Sequence, residues 1–313
     1  MKAPIRLFSG SSHPALAEEI AKCLKIPVSE LMISKFANGE LYARPVQTVR
    51  GCDVFVVQTA TENVNEDLMQ LFIILDSLKR SFAGKIHVIM PNYAYARQDR
   101  VAYSRESISA KLVADLISTA GAEHLVGMHF HSSQTQGFFN FPVDNLSSQK
   151  LFVEYFRKKK IKDLVIVSPD AGGVKEARKF ADLLSVPLVI IHKVRSKHNV
   201  AEATHVVGDV KGKVCLLVDD MIDTAGSLCA AVDALRANGA KKEMYVAATH
   251  PIFSDPAAER LRKLRLTEVV VTNSLPIPPK KRFPGLTVLS IASLLAQVIQ
   301  NVNEAKSVSE VFE

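Results

Sequence analysis

The sequence predicts an α/β protein of two domains, each a mainly parallel sheet flanked by helices. Three observations carry this expectation. Short apolar runs rich in Val, Ile and Leu alternate with longer stretches of helical periodicity. At 313 residues and 48% hydrophobic composition, the chain is long enough for two ordinary cores. The two halves also repeat the same strand–helix rhythm without clear residue identity, and each carries charged loops where strands end.

In the first half, Ile5–Phe8 and Asp53–Gln58 read as strands and Asp67–Ser81 as a helix. Lys85–Met90 is a strand, Ser107–Thr119 a helix and His124–His129 a strand. In the second half, Leu164–Val167 and Leu188–Ile191 are strands around a helix at Val174–Leu184. Val214–Val218 is a buried strand followed by a helix at Leu228–Asn238. Met244–Thr249 and Glu268–Thr272 are further strands, and Leu294–Val302 is a late helix. The polar segment Val143–Lys150 marks the boundary, giving domains 1–146 and 147–313. Ligands of such sheets sit beyond the carboxyl ends of the strands.

Composition narrows the function. No apolar run reaches the length of a membrane span, and the N-terminus lacks a signal-peptide pattern. The four cysteines, Cys23, Cys52, Cys215 and Cys229, lack metal-type spacing and read as reduced thiols of a cytoplasmic protein. A formal charge of +7, spread along the chain, gives no reason to expect nucleic acid as a partner. A small polyanionic substrate accounts for it equally well. The one dense basic run, Arg157–Lys160, reads as a solvated helix end.

The chemistry concentrates in Val214–Ser227, Val-Cys-Leu-Leu-Val-Asp-Asp-Met-Ile-Asp-Thr-Ala-Gly-Ser. Asp219 and Asp220 stand where the apolar run stops, and Asp223 follows. Thr224, Ala225, Gly226 and Ser227 then lead into a helix. Free N–H groups and hydroxyls at a helix start hold a phosphate, and carboxylates accept from ribose hydroxyls. An acidic turn with a helix cap would use the same residue types.

Other loops repeat the theme. Ser168–Gly173 (Ser-Pro-Asp-Ala-Gly-Gly) offers paired glycines for close backbone approach and positive φ, with Asp170 suited to a divalent cation. A plain βα turn is the alternative. After Leu188–Ile191, Lys193 and Arg195 alternate onto one side of an extended segment, where two cations would stabilise phosphoryl charge. In Tyr95–Arg100, Arg97 suits phosphate and Gln98 a base edge. Phe36, Asn38, Gly39 and Glu40 form a turn beside an aromatic ring that can stack on adenine, or simply a hairpin turn. His129 and His131 share one face at a strand end, suiting metal or phosphate contact, or a core role.

Taken in order, Phe-Ala-Asn-Gly-Glu, Tyr-Ala-Arg-Gln-Asp, Ile-Ser-Ala-Lys-Leu, His-Ser-Ser-Gln-Thr-Gln-Gly-Phe-Phe, Pro-Val-Asp-Asn-Leu, Val-Ser-Pro-Asp-Ala-Gly-Gly and the acidic loop resemble the ribose-phosphate pyrophosphokinase family along essentially the whole chain. The resemblance implies two phosphoribosyltransferase-like domains. It also implies Mg2+-dependent transfer of the diphosphoryl group of ATP to ribose 5-phosphate, giving AMP and phosphoribosyl pyrophosphate. Carried over, Asp219, Asp220 and Asp223–Ser227 hold ribose 5-phosphate with Arg195, and Lys193 stabilises the transition state. Arg97 and Gln98 bind ATP, and Phe36, Asn38, Gly39 and Glu40 complete the adenine pocket from a neighbouring subunit of a homohexamer. His131 and Asp170 serve the metal. Thr48, Arg50, Arg105, Ser133, Gln136, Asn145, Ser307 and Ser309 match a regulatory site for phosphate and ADP.

The chain departs from the family pattern at His129 and Asn140, where carboxylates are usual, and at Val101–Tyr103, which carries less charge than the usual mobile loop. Two rival readings follow, a low-activity regulatory paralogue and a phosphoribosyltransferase. The second needs neither Arg97-Gln98 nor Phe36–Glu40.

Overall fold

The computed structural model describes residues 3–194 and 203–311. The chain forms two compact units. Unit 1 comprises Met1–Ser147, Ser274–Pro276 and Ser290–Glu313, and unit 2 comprises Ser148–Asn273 and Ile277–Leu289.

In unit 1, β1 (Ile5–Ser9), β4 (Asp53–Val57), β5 (Lys85–Met90), β6 (His124–Met128) and β7 (Val143–Leu146) form a parallel five-stranded sheet in the order β1-β4-β5-β6-β7. Between them run α1 (Pro14–Leu24), α2 (Val64–Arg80) and α3 (Ser109–Ala120). β2 (Leu31–Lys35) and β3 (Leu41–Pro45) form a separate antiparallel hairpin. The strands are apolar on both faces because helices cover both, the usual condition of parallel sheets. One core gathers Val54, Val56, Val88, Leu71, Leu75 and Ile117 between the sheet and α2 and α3.

A polar chain crosses this sheet. Phe55, His87 and His124 are lateral neighbours on β4, β5 and β6. The His87 ring stacks on Phe55 at 4.3 Å and 11°. His87 Nδ1 lies 3.1 Å from His124 Nδ1, and His124 Nε2 lies 3.0 Å from Asp144 Oδ2 on β7. Both imidazoles are buried.

Unit 2 begins with α4 (Gln149–Lys159), β8 (Leu164–Ser168), α5 (Val174–Leu184), β9 (Leu188–Val194) and β10 (Ala203–Val207). There follow β11 (Val214–Ile222), α6 (Gly226–Ala237), β12 (Met244–Pro251), α7 (Ala257–Leu264), β13 (Glu268–Thr272) and β14 (Leu286–Leu289). The sheet order is β10-β9-β8-β11-β12-β13-β14, parallel except for the antiparallel edge strand β10. Its two faces carry separate cores, one around Phe156, Phe180 and Leu216, the other around Leu217, Leu228, Val246 and Phe253.

The α/β architecture matches the expectation, with three instructive differences. The polar segment at Val143–Lys150 contains a strand, β7, because Asp144 and Asn145 are satisfied by groups distant in sequence. His124 bonds the first, and Asn145 Oδ1 accepts from Phe130 N at 2.9 Å. The final helix, α8 (Ala292–Asn303), belongs to unit 1 rather than to 147–313 as expected from sequence order. It packs against α1, and Asn303 Nδ2 donates to Ala3 O and Asp53 Oδ2, each at 3.0 Å. The third difference is that β11 runs past Val218 to Ile222, because the long partner β12 continues the ladder through Asp219–Ala248 and Met221–His250.

Candidate active site

The acidic loop of unit 2 lies where the sheet changes partners. β8 pairs with β11 only as far as Leu217, while β12 accompanies it to Ile222. Asp219 and Asp220 therefore sit in strand geometry at a step in the sheet edge. Burial first, then the charges of Asp220 and Asp170, pushes the Asp219 carboxyl well above the usual carboxylate range. Asp220 N donates to Asp219 Oδ1 at 2.9 Å, which stops short of offsetting that repulsion. The charges of Asp220 on the same strand and Asp170 on the neighbouring loop thus disfavour that of Asp219, and an arriving cation or hydroxyl-rich ligand relieves this.

Beyond them, Asp223–Ser227 turns into α6. Ala225 takes a left-handed conformation, φ 60° and ψ 13°, just before the helix. An alanine there stores about 1–3 kcal/mol of backbone strain. The surroundings hold it in place. Arg260 on α7 donates from Nη1 to Thr224 O at 2.9 Å, and a Cβ at Gly226 would lie 3.4 Å from that same nitrogen. The amides of Gly226, Ser227 and Leu228 open the helix, where N–H groups lack intrahelical acceptors and the helix dipole favours an anion. Arg260 escapes a motif reading because it lies 36 residues from Thr224.

Ser168–Gly173 closes the neighbouring strand end. Neither Gly172 nor Gly173 takes the positive φ expected of it. Their role is space: a Cβ at Gly172 would approach Asp170 Oδ1 to 3.3 Å, and one at Gly173 would approach Ser168 Oγ to 3.2 Å. Asp170 Oδ1 accepts from Gly173 N at 2.9 Å, so one oxygen holds the loop while the exposed side chain keeps its other oxygen for a ligand. Lys193 lies within β9, paired with Thr204 of β10, because the strand continues past Ile191 to Val194. Arg195 lies outside the described residues.

Unit 1 contributes two loops. The hairpin turn is closed by Phe36 N to Glu40 O and Gly39 N to Phe36 O, each at 2.9 Å, and Glu40 N donates to Asn38 Oδ1 at 3.2 Å. Gly39, at φ 90°, makes that turn without a Cβ penalty. Phe36 is 57% exposed and meets Tyr42 edge-on at 6.2 Å, leaving a ring face to solvent. Arg97 and Gln98 are exposed on the Tyr95–Arg100 loop. Gln98 ties the loop to α3: its Oε1 accepts from Ser109 Oγ at 2.6 Å and its carbonyl from Ala110 N at 3.1 Å. Glu106 Oε2 accepts from Ala102 N and Tyr103 N, each at 2.9 Å, folding Val101–Tyr103 back on itself.

His129 and His131 do not share a strand face. β6 ends at Met128, and His129 turns out at φ 45° while its N–H bonds Leu146 O. His131 is exposed in unit 1, whereas Asp170 belongs to unit 2. Among the described residues, no three His, Cys, Asp or Glu side chains cluster in a form that holds a metal ion.

The residues matched to a regulatory site all lie in unit 1. Thr48 Oγ1 caps Arg50 N at 3.5 Å, and the Arg50 guanidinium lies 4.9 Å over Phe82. Ser133 and Gln136 share one short helical turn, where Gln136 Nε2 donates to Ser133 O at 3.1 Å. Asn145 is held by Phe130 N. Arg105 stands at φ 73°. Ser307 O accepts from Asn301 Nδ2 at 2.6 Å, and Ser309 begins the last short turn.

Comparison with known proteins bears on the whole chain. Residues 5–121 match the model of the N-terminal domain of ribose phosphate pyrophosphokinase, and residues 201–313 match a phosphoribosyl synthetase-associated domain. The chain is 48% identical over 310 residues to a ribose-phosphate pyrophosphokinase of Synechococcus elongatus, covering 98% of this chain and 93% of the relative. It is 45% identical over 308 residues to that of Bacillus subtilis, covering 98% and 97%. The crystal structure of phosphoribosylpyrophosphate synthetase from Mycobacterium smegmatis superposes with a TM-score of 0.92 at 50% identity, covering 96% of this chain and 99% of that one. Sequence along its full length and architecture in both units agree that the chain belongs to the ribose-phosphate pyrophosphokinase family.

Proposed function

We propose that the protein is a ribose-phosphate diphosphokinase, in which the anomeric hydroxyl of ribose 5-phosphate attacks the β-phosphorus of ATP, AMP leaves, and phosphoribosyl pyrophosphate forms. The observation that carries this reading is the Arg260-pinned loop at the end of β11, with its open helix start and mutually repelling carboxylates, in a chain of this family. The sugar phosphate binds along Asp223–Ser227, its phosphate on the amides that open α6 and its hydroxyls on Asp219 and Asp220. Lys193 and Arg195 supply positive charge as it grows on the transferred group. Phe36 stacks on adenine, Asn38, Gly39 and Glu40 line its edge, and Arg97 and Gln98 meet the nucleotide from the second loop. Phosphoryl-type transfer requires chiefly such positioning and charge.

Asp170 and His131 are each proposed to serve Mg2+, which when bound would neutralise the diphosphoryl oxygens. The fit rests on the exposed Asp170 carboxylate, a hard oxygen donor of which only Oδ1 accepts from Gly173 N. No helix among the described residues is long and apolar enough to cross a membrane, and a cytoplasmic setting is part of the proposal. A homohexamer would cover the apolar side chains unit 1 leaves exposed, among them Met32, Met69, Leu112 and Phe82. Phosphate and ADP are proposed regulators at Thr48, Arg50, Arg105, Ser133, Gln136, Asn145, Ser307 and Ser309.

The test is to incubate the purified protein with ATP, Mg2+ and ribose 5-phosphate and to follow AMP. Lys193→Ala should lower kcat by about 10²–10³ with little change in either KM, the pattern of a group acting on developing charge. AMP formation no faster than in the Lys193→Ala protein, with and without phosphate, would overturn the reading.

A further inference from the structure

The end of the unit 2 sheet opposite the acidic loop holds a second cationic feature. A polar recess of about 450 Å³ opens there, lined by Lys159, Lys160, Lys162, Lys241, Glu243 and Tyr245, with Ile161 and Val214 at its base. Val214 begins β11, and the five-residue step to Asp219 places the carboxylates about 17 Å away at the usual strand rise. The recess is therefore separate from the proposed sugar-phosphate cradle.

Its walls are fixed before any ligand arrives. Glu268 Oε1 accepts from Tyr155 Oη and Thr287 Oγ1, each at 2.5 Å, and Glu268 Oε2 holds Lys159 Nζ at 2.8 Å. Lys159 also lies 4.9 Å over Tyr155 and 5.9 Å over Tyr245, so its ammonium is held in place at the rim. Lys241 is fixed by Asp163 at 2.9 Å. Glu243, the lining carboxylate, accepts from Tyr245 Oη at 2.8 Å. Among the described residues, Lys160 makes no ion pair, and Lys162 lies near Asp163, whose carboxylate is bonded by Lys241.

A helix end alone does not explain this charge. Lys159 and Lys160 belong to the end of α4, where cations complement the dipole. Lys162 and Lys241 come from two other loops and converge on the same volume. Glu268 balances Lys159 and Asp163 balances Lys241, so Lys160 and Lys162 face the phenol-bonded Glu243 and leave a surplus of one positive charge in a polar recess. Ammonium groups are point charges that suit tetrahedral oxyanions, and several at fixed spacing favour several linked ones.

We propose that this recess is a second anion site, which takes a phosphoanhydride, two or more linked phosphates, independently of the reaction site. Two sources share that chemistry, free condensed phosphate and the polyphosphate tail of a nucleotide. The test reads individual lysines in the full chain by amine acylation and mass spectrometry at constant ionic strength. With millimolar pyrophosphate, acylation of Lys160 and Lys162 should fall by about fivefold, as for a mostly occupied site, while exposed Lys25 of unit 1 is unchanged. Sulfate at equal ionic strength should not reproduce the protection. In a K160E/K162E protein, pyrophosphate should no longer protect Lys241, and AMP formation without added pyrophosphate should match wild type. If ATP protects at far lower concentration than pyrophosphate, the nucleotide is the source; equal potency identifies condensed phosphate. No protection, equal protection at Lys25, or equal protection by sulfate would overturn the proposal.

Discussion

Replacing His87 with Asn should flatten the acid dependence of unit 1 stability. Burial first, then the nearby charges of His124 and Lys85, lowers the His87 imidazole from 6.5 to about 3. Its ring is sandwiched against Phe55, and its Nε2 is buried with no hydrogen-bond partner among the described residues, which a neutral nitrogen tolerates and an added N–H would not. The unfolded chain takes up a proton near pH 6.5, whereas the folded chain does so only near pH 3. Stability is thus fully present above pH 6.5 and falls by about 1.4 kcal/mol per unit below it. Over the two units down to pH 4.5 the loss is about 2.7 kcal/mol. Asn keeps a polar atom near the Nδ1 position for His124 but does not titrate. At neutral pH His87→Asn lowers stability because the ring no longer fills its place beside Phe55. The measured quantity is therefore the difference in stability between pH 7.5 and 4.5, from urea unfolding of both proteins. Wild type should lose about 2–3 kcal/mol more than the variant over that span. Equal losses would mean that His87 titrates normally in the folded protein, and the burial argument would fail.

Two further outcomes follow from the same kind of reasoning. Arg260→Ala removes the bond to Thr224 O that holds the left-handed Ala225 in place. A bond from a charged donor contributes about 1.5–3 kcal/mol, so KM for ribose 5-phosphate should rise about tenfold or more while KM for ATP stays unchanged; an unchanged sugar-phosphate KM would show that the loop holds itself. Burial raises the Cys215 thiol to about 12 and also raises Cys229, whereas Cys23 is exposed. Iodoacetamide near pH 8 should therefore label Cys23 first and reach Cys215 only on unfolding, as read by peptide mass mapping.

Most of the sheet architecture was legible because buried parallel strands are written as unbroken apolar runs. Lys85–Met90, Glu268–Thr272 and Val174–Leu184 begin and end as their patterns indicate. Elements that escaped lack local signals. α1 starts from His13, whose Nδ1 accepts from Leu16 N at 3.3 Å, in place of the usual Ser, Thr, Asp or Asn. β7 is half polar because its partners, His124 and Phe130 N, lie elsewhere in the chain. The acidic loop was legible as a strand end, a small-residue turn and a helix start from residue types in order. Its outer support was not, since Arg260 comes from another helix.

The return of α8 to unit 1 has a consequence for synthesis. All five strands of the first sheet have been made once Leu146 is added, but the helix that packs on α1 begins only at Ala292. At roughly 5–20 residues per second, that leaves about 7–30 s in which a growing chain exposes the bare flank of α1. Unit 2, apart from Ile277–Leu289, is one continuous stretch and can consolidate within that interval. The half made first is thus the half completed last, and its vulnerability to premature association is greatest while the other half is still emerging.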